Sequence, residues 1–161
     1  ESIMEKYPFQ LSGGMAQRVT IAISACSNAK LIIADEPTNG LDQSSKQSFK
    51  SLLDRIFPEA GKLIITHDIS VAALCERVIV LCGGRMSESG YTAELFSNPH
   101  HPYTQALISA LVENGLNETP LLRTERGRCP FYRRCPNALP ECLAQIDRQT
   151  DSVSEWWCNF K

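Results

Sequence analysis

Two short apolar runs, each ending abruptly on ionisable residues, do most to limit what this chain can fold into. Leu31-Ile32-Ile33-Ala34 runs into Asp35-Glu36-Pro37, and Leu63-Ile64-Ile65-Thr66 runs into His67-Asp68. Each run has strand length and is apolar at successive positions, which predicts strands buried on both faces, as in a parallel sheet covered by helices. Between them Lys46 to Phe57 places Phe49, Leu52, Leu53 and Ile56 at helical spacing, facing inward. This strand–helix–strand order implies an α/β fold. In such sheets ligands gather beyond the carboxyl ends of the strands, so Asp35, Glu36 and His67 should emerge on one edge.

The flanking sequence continues the alternation. Leu11-Ser12-Gly13-Gly14 reads as a turn opening a helix in which Met15, Val19, Ala22, Ile23 and Cys26 recur, and Asn28-Ala29-Lys30 ends it. Ser70 to Glu76 reads as a short helix and Val78 to Leu81 as a strand; Gly83-Gly84 turns the chain into Arg85 to Ser89, a hairpin partner. Tyr103 to Val112 is a further helix, with Leu107, Ala110 and Leu111 on its apolar side, followed by a linker from Asn114 to Thr119. The remaining tail, with prolines at 120, 130, 136 and 140, is too short to build a core of its own. Units of that size commonly depend on a metal.

Composition excludes several classes. With 43% hydrophobic and 21% charged residues and a net charge of −2, the chain is ordinary for a soluble domain and lacks the basic surplus of a nucleic-acid binder. No apolar run approaches the roughly 20 residues that span a bilayer, so any link to a membrane is expected to pass through a partner. The charged start at Glu1 has no signal-peptide core and no initiator Met, which suggests a fragment or a processed piece. Of seven cysteines, Cys26, Cys75 and Cys82 lie in apolar stretches, and Cys129, Cys135, Cys142 and Cys158 crowd the last 33 residues. With no sign of export, that crowding points to a metal site before disulfides.

Four motifs carry chemistry. Ser12 can cap a helix whose first residues, Gly13 and Gly14, let an anion approach backbone N–H groups at the positive end of the helix dipole, although a plain cap has the same sequence. Asp35 and Glu36 end a strand where one carboxylate can hold Mg²⁺ and the other can orient or deprotonate water; a strand end capped by acids is the simpler alternative. Thr38-Asn39-Gly40-Leu41-Asp42 is a turn by composition. His67, taken singly, would be a structural residue, but it ends the neighbouring strand beside those acids.

In order and spacing these motifs resemble the signature, Walker B, D-loop and switch-histidine series of ATP-binding-cassette (ABC) ATPases. The resemblance implies that Ser12, Gly13 and Gly14 touch the γ-phosphate of an ATP held mainly by an opposing subunit, with Gln17 supporting that contact. It implies that Asp35 is the Mg²⁺-side carboxylate, that Glu36 polarises the attacking water, that His67 bridges water and γ-phosphate, and that Asp42 reaches across the dimer interface. Gly40 stands where the D-loop more often has Ala. No Gly-x-x-x-x-Gly-Lys-Ser/Thr phosphate loop occurs in the 161 residues. The chain alone is therefore expected neither to bind ATP tightly nor to hydrolyse it.

The rest of the chain narrows the resemblance. Asn98-Pro99-His100-His101-Pro102-Tyr103-Thr104-Gln105-Ala106-Leu107 is similar to a segment that follows the cassette in ATPases of oligopeptide, dipeptide and nickel importers. His100 and His101 suggest a metal, yet a helix-entry turn with Pro102 in the first turn is the preferred reading, with Tyr103 and Leu107 packing the helix. Gaps of 5, 6 and 15 residues separate Cys129, Cys135, Cys142 and Cys158. They are wider than the tight pairs of zinc ribbons and suit iron–sulfur ligation better, with zinc and reduced structural thiols left open. The Cys-Pro-Phe…Arg-Cys-Pro tail resembles that of peptide-importer ATPases carrying a four-iron, four-sulfur cluster. Arg123, Arg126, Arg128, Arg133 and Arg134 would favour thiolates there, and Trp156 and Trp157 would shield the site.

The expectation is thus an α/β chain: residues 1–97 as the C-terminal half of an ABC ATPase nucleotide-binding domain, a parallel sheet flanked by helices, and residues 98–161 as a Cys-rich extension. The resemblance implies ATP and Mg²⁺, a second ATP-binding subunit, membrane permease subunits, an external substrate-binding protein reached indirectly, and a peripheral place on the cytoplasmic face of the inner membrane. A non-transport ABC ATPase and a Cys-cluster regulatory module are the competing classes.

Overall fold

The computed structural model describes residues 3–111 and 129–159. The chain divides into two compact units, Glu1–Leu74 and Cys75–Lys161.

In the first unit α1 (Gly13–Ala25), β1 (Leu31–Asp35), α2 (Gln43–Ile56), β2 (Gly61–Ile65) and α3 (Ile69–Ala72) follow one another. β1 and β2 pair in parallel, in a register that sets Leu31 beside Gly61 and Asp35 beside Ile65. Because side chains alternate along a strand, Ile32 and Ile64 share one face and join a core of Ile21, Phe49, Leu53 and Phe57. Leu31, Ile33, Leu63 and Ile65 point the other way and are 46% to 61% exposed. The expectation of strands buried on both faces is corrected here: among the described residues, helices cover only one side of this pair.

Helix limits also shift. α2 begins at Gln43, not Lys46, because Asp42 caps it, its Oδ1 accepting from the Ser45 N–H at 2.9 Å. It ends before Pro58, which cannot continue a helix. α3 is a single turn capped by Asp68, whose Oδ1 accepts from the Ser70 N–H. In α1 the buried residue is Ile21, while Ile23 is 69% exposed and Cys26 is exposed. Apolar residues ring that helix, so spacing alone does not select its inner face.

The second unit is built on β3 (Arg77–Cys82), β4 (Arg85–Tyr91), α4 (Thr92–Ser97), α5 (Pro102–Ser109), β5 (Arg148–Thr150) and β6 (Ser154–Trp157). Gly83 and Gly84, at φ 55° and 77°, form the two-residue turn between β3 and β4; left-handed backbone at both positions is what a type I′ hairpin needs. The sheet is antiparallel in the order β3-β4-β6-β5, with Glu88 opposite Trp156 and Gly90 opposite Ser154. A Cβ on Gly90 would lie 2.9 Å from the Ser154 Cβ, so only glycine permits this approach. The tail therefore does not stand apart: its strands complete a sheet begun by the hairpin. α5 starts with Pro102, one residue before the expected start, and ends at Ser109; Val112 and the linker from Asn114 to Thr119 lie outside the described residues.

Candidate functional site

At the carboxyl edge of the first unit's sheet the parallel register brings the ends of β1 and β2 together. Glu36 has φ 45°, a left-handed conformation that costs a non-glycine residue energy and clusters at functional sites. That backbone lets the Glu36 N–H donate to the Ile65 carbonyl at 2.8 Å. Its Oε1 accepts from the His67 N–H at 3.1 Å and contacts the His67 Nδ1 at 2.8 Å. The Glu36 carboxylate raises the His67 pKa above its ordinary value, first through this hydrogen bond and then through charge. With Nδ1 directed at Glu36, Nε2 and the second Glu36 oxygen have no partner among the described residues and are open to a ligand. The His67 side chain is 75% exposed, so the pair is open to solvent.

The other expected residues sit around this pair. Asp35 is exposed at the end of β1. Ser12 and Gly13 are exposed and Gly14 is half-buried; Ser12 caps α1, its Oγ accepting from the Met15 N–H at 3.3 Å. The Gln17 amide donates to the Pro37 carbonyl, tying α1 to the turn after Glu36. Both Asp42 oxygens are engaged locally, by Ser44 Oγ and the Ser45 N–H on one and Ser45 Oγ on the other, and these bonds hold its carboxyl down at about 2. An unforeseen ion pair joins Lys46 of α2 to Asp68, and Thr66 Oγ1 accepts from the Asp68 N–H. These contacts brace the loop that carries His67. Asp before a helical turn was the available signal.

In the second unit Cys129, Cys135, Cys142 and Cys158 line one pocket with His101, Pro102, Tyr132 and Ile146. Short 3-10 turns at Tyr132–Arg134 and Pro140–Leu143 fold the segment back on itself, and the Cys129 N–H donates to the Cys142 carbonyl at 3.1 Å. Burial pushes the Cys129 and Cys135 thiols up, and neighbouring cysteines add to the rise. Among the described residues no group of three or more His, Cys, Asp or Glu is arranged to hold a metal ion.

A second cavity of about 560 Å³ shares His101, Cys129 and Ile146 with the first and adds Cys82, Arg85, Phe131 and Trp157. Cys82 was grouped with the apolar stretches; buried at the end of β3, its thiol is pushed up to about 11 by desolvation, with Cys129 nearby. Trp157 borders this second cavity, whereas Trp156 lines neither and stacks on His100 at 3.8 Å, so the expected shield of two tryptophans is not what forms. Arg134 lies over the Phe131 ring at 4.9 Å; Arg123, Arg126 and Arg128 are outside the described residues. His101 caps α5, Nδ1 accepting from the Tyr103 N–H at 3.0 Å, as the helix-entry reading expects. Its place on the Cys pocket was not foreseen, because the cysteines lie so far along the chain from it.

Comparison with known proteins finds matches in both units of the chain. Residues 1–39 match the family model of the ABC transporter, and residues 87–142 match that of the oligopeptide/dipeptide transporter, C-terminal region. The chain is 40% identical over 152 residues to the oligopeptide transport ATP-binding protein OppD of Salmonella typhimurium, covering 86% of this chain and 45% of that protein. It is 36% identical over 159 residues to the dipeptide transport ATP-binding protein DppD of Bacillus subtilis, covering 91% and 48%. The chain thus spans about half the length of these curated relatives. A solved dimeric ATP-binding cassette in a post-hydrolysis state, bound to ADP and phosphate, is 37% identical with a TM-score of 0.47, over 53% of this chain and 38% of that one. With ABC transporter sequence at one end and an oligopeptide/dipeptide transporter C-terminal region further on, the chain belongs to the ABC transporter family and is similar to part of the proteins OppD and DppD.

Proposed function

We propose that this chain forms part of the ATP-hydrolysing subunit of an ABC importer for oligopeptides or dipeptides. The observation that carries the reading is the Glu36–His67 pair at the shared edge of two parallel strands. Glu36, anchored through Oε1, offers its other oxygen as the base that orients or deprotonates water. His67, oriented through Nδ1, presents Nε2 toward the γ-phosphate. Ser12, Gly13 and Gly14 offer the N-terminus of α1 to the γ-phosphate of a nucleotide on a second ATP-binding subunit, Gln17 fixes that helix against the turn after Glu36, and Asp42 braces the loop at the dimer interface. Asp35 would hold the Mg²⁺ that accompanies ATP and neutralises phosphate charge.

In this reading the subunits pair head to tail beneath membrane permease subunits, on the cytoplasmic face of the inner membrane, and an external binding protein delivers cargo. The likeness to oligopeptide and dipeptide transport proteins favours peptide over nickel as that cargo. Among the described residues no helix is long and apolar enough to cross a membrane. Lacking a phosphate loop, these 161 residues alone should not turn over ATP. The test is Glu36→Gln in the complete subunit: turnover should fall by roughly 10²- to 10⁴-fold, and near-normal turnover would remove Glu36 from this role.

We also propose that Cys129, Cys135, Cys142 and Cys158 hold a four-iron, four-sulfur cluster. Support comes from the donor set, four cysteines that border one pocket. When bound, such a cluster would cross-link the turns of this segment and carry one electron. Anaerobically purified protein should contain iron and acid-labile sulfide, both lost in Cys129→Ser; colourless protein with stoichiometric zinc would overturn the assignment.

A further inference from the structure

His101 is committed at one ring nitrogen and unspent at the other. The ring is only 3% exposed. Its Nδ1 accepts the Tyr103 N–H at 3.0 Å and so carries no proton. With Nδ1 bare, the ring carries its proton on Nε2. Among the described residues no acceptor pairs with that N–H, and the ring lines the pocket shared by Cys129, Cys135, Cys142 and Cys158.

We propose that His101, through its Nε2–H, is a hydrogen-bond donor to the sulfur of the iron–sulfur centre in this pocket, and so a positioning residue that sets its reduction potential. The inference rests on the cluster reading above. A donor facing sulfur stabilises the reduced, more negative state and raises the potential. The position is held rigidly: Glu88, fully buried on β4, accepts the His100 N–H at 2.8 Å on one oxygen and the His101 N–H at 3.0 Å on the other. The α5 cap and this carboxylate together fix the backbone from which the ring projects.

Asn and Gln separate the two ring nitrogens. In His101→Asn the short amide can replace Nδ1 as the cap of α5 but does not reach the place of Nε2; in His101→Gln the longer amide reaches that place and can still donate. In the whole protein, purified anaerobically, His101→Asn should keep its iron content and shift the reduction equilibrium toward the oxidised state by roughly tenfold, equivalent to about 59 mV for a one-electron couple. His101→Gln should restore most of the shift. An unchanged potential in His101→Asn with iron intact would overturn the inference while leaving the cluster standing; parent protein without iron would overturn both. If the variants fail to fold, parent protein labelled with ¹⁵N-histidine decides: the reduced centre should show a histidine ¹⁵N hyperfine coupling, and its absence would refute the proposed bond.

Discussion

Replacing Glu88 by Gln should destabilise the second unit sharply. A buried carboxylate persists only where hydrogen bonds offset its desolvation, and here two backbone N–H groups, of His100 and His101, do so at 2.8 and 3.0 Å. Gln keeps one neutral carbonyl and turns an NH₂ toward the other N–H. One charge-assisted bond, worth about 1.5–3 kcal/mol, is lost, and the second is weakened by about 1 kcal/mol. The net loss is about 2.5–4 kcal/mol. For a domain of this size each kcal/mol moves Tm by roughly 4–8 °C, so the unit should melt roughly 10–30 °C lower. The assay is intrinsic fluorescence, because both tryptophans of the chain, Trp156 and Trp157, lie on β6 in this same sheet. Glu88→Ala should be worse, since both acceptors and the side-chain volume go. A Glu88→Gln protein melting within about 2 °C of the parent would show that these two bonds do not secure the segment before α5.

Other outcomes follow from the packing and the charges. Leu53→Ala, in the core of the first unit at 2% exposure, should cost about 2–5 kcal/mol in chemical denaturation; a loss below about 1 kcal/mol would contradict that packing. Gly90→Ala should cost about 1–3 kcal/mol through the clash with Ser154, and adding Ser154→Gly should recover part of it. The His67 imidazolium is favoured by Glu36, so the pair's contribution is full below pH 6.5 and fades as pH rises through the raised His67 value. An NMR titration should place the His67 midpoint above 6.5, and Glu36→Gln should bring it back down; identical midpoints would break the link between the two.

The parts of this structure legible in the sequence are those governed by local rules. Two apolar runs ending on Asp35-Glu36 and on His67 placed both strands and the shared edge, and Phe49, Leu52, Leu53 and Ile56 picked out the inner face of α2. Gly83-Gly84 marked its own hairpin. Elsewhere the deciding partner lay far along the chain. Ser87, Glu88 and Ser89 look like a solvated strand end, yet all three are buried because β6 and the turn before α5 pack over them. Nothing near Ser154-Glu155-Trp156-Trp157 announces that it will join a hairpin at residues 85–91. Likewise His101 declares a helix cap locally, while its place beside the cysteines depends on the return of residues 129–158.

That return has a temporal side. β4 acquires its second neighbour only when residues 154–156 arrive to pair with residues 88–90, and Cys158 takes its seat just after them. On the ribosome, where the chain emerges at about 5–20 residues per second, the hairpin must wait several seconds with Ser87, Glu88 and Ser89 uncovered. Such distant pairing is slow and leaves an open edge in the meantime. Any insertion of metal among the four cysteines therefore waits for residues 154–158, and a truncation short of β6 should leave Cys129, Cys135 and Cys142 without the strand that precedes Cys158.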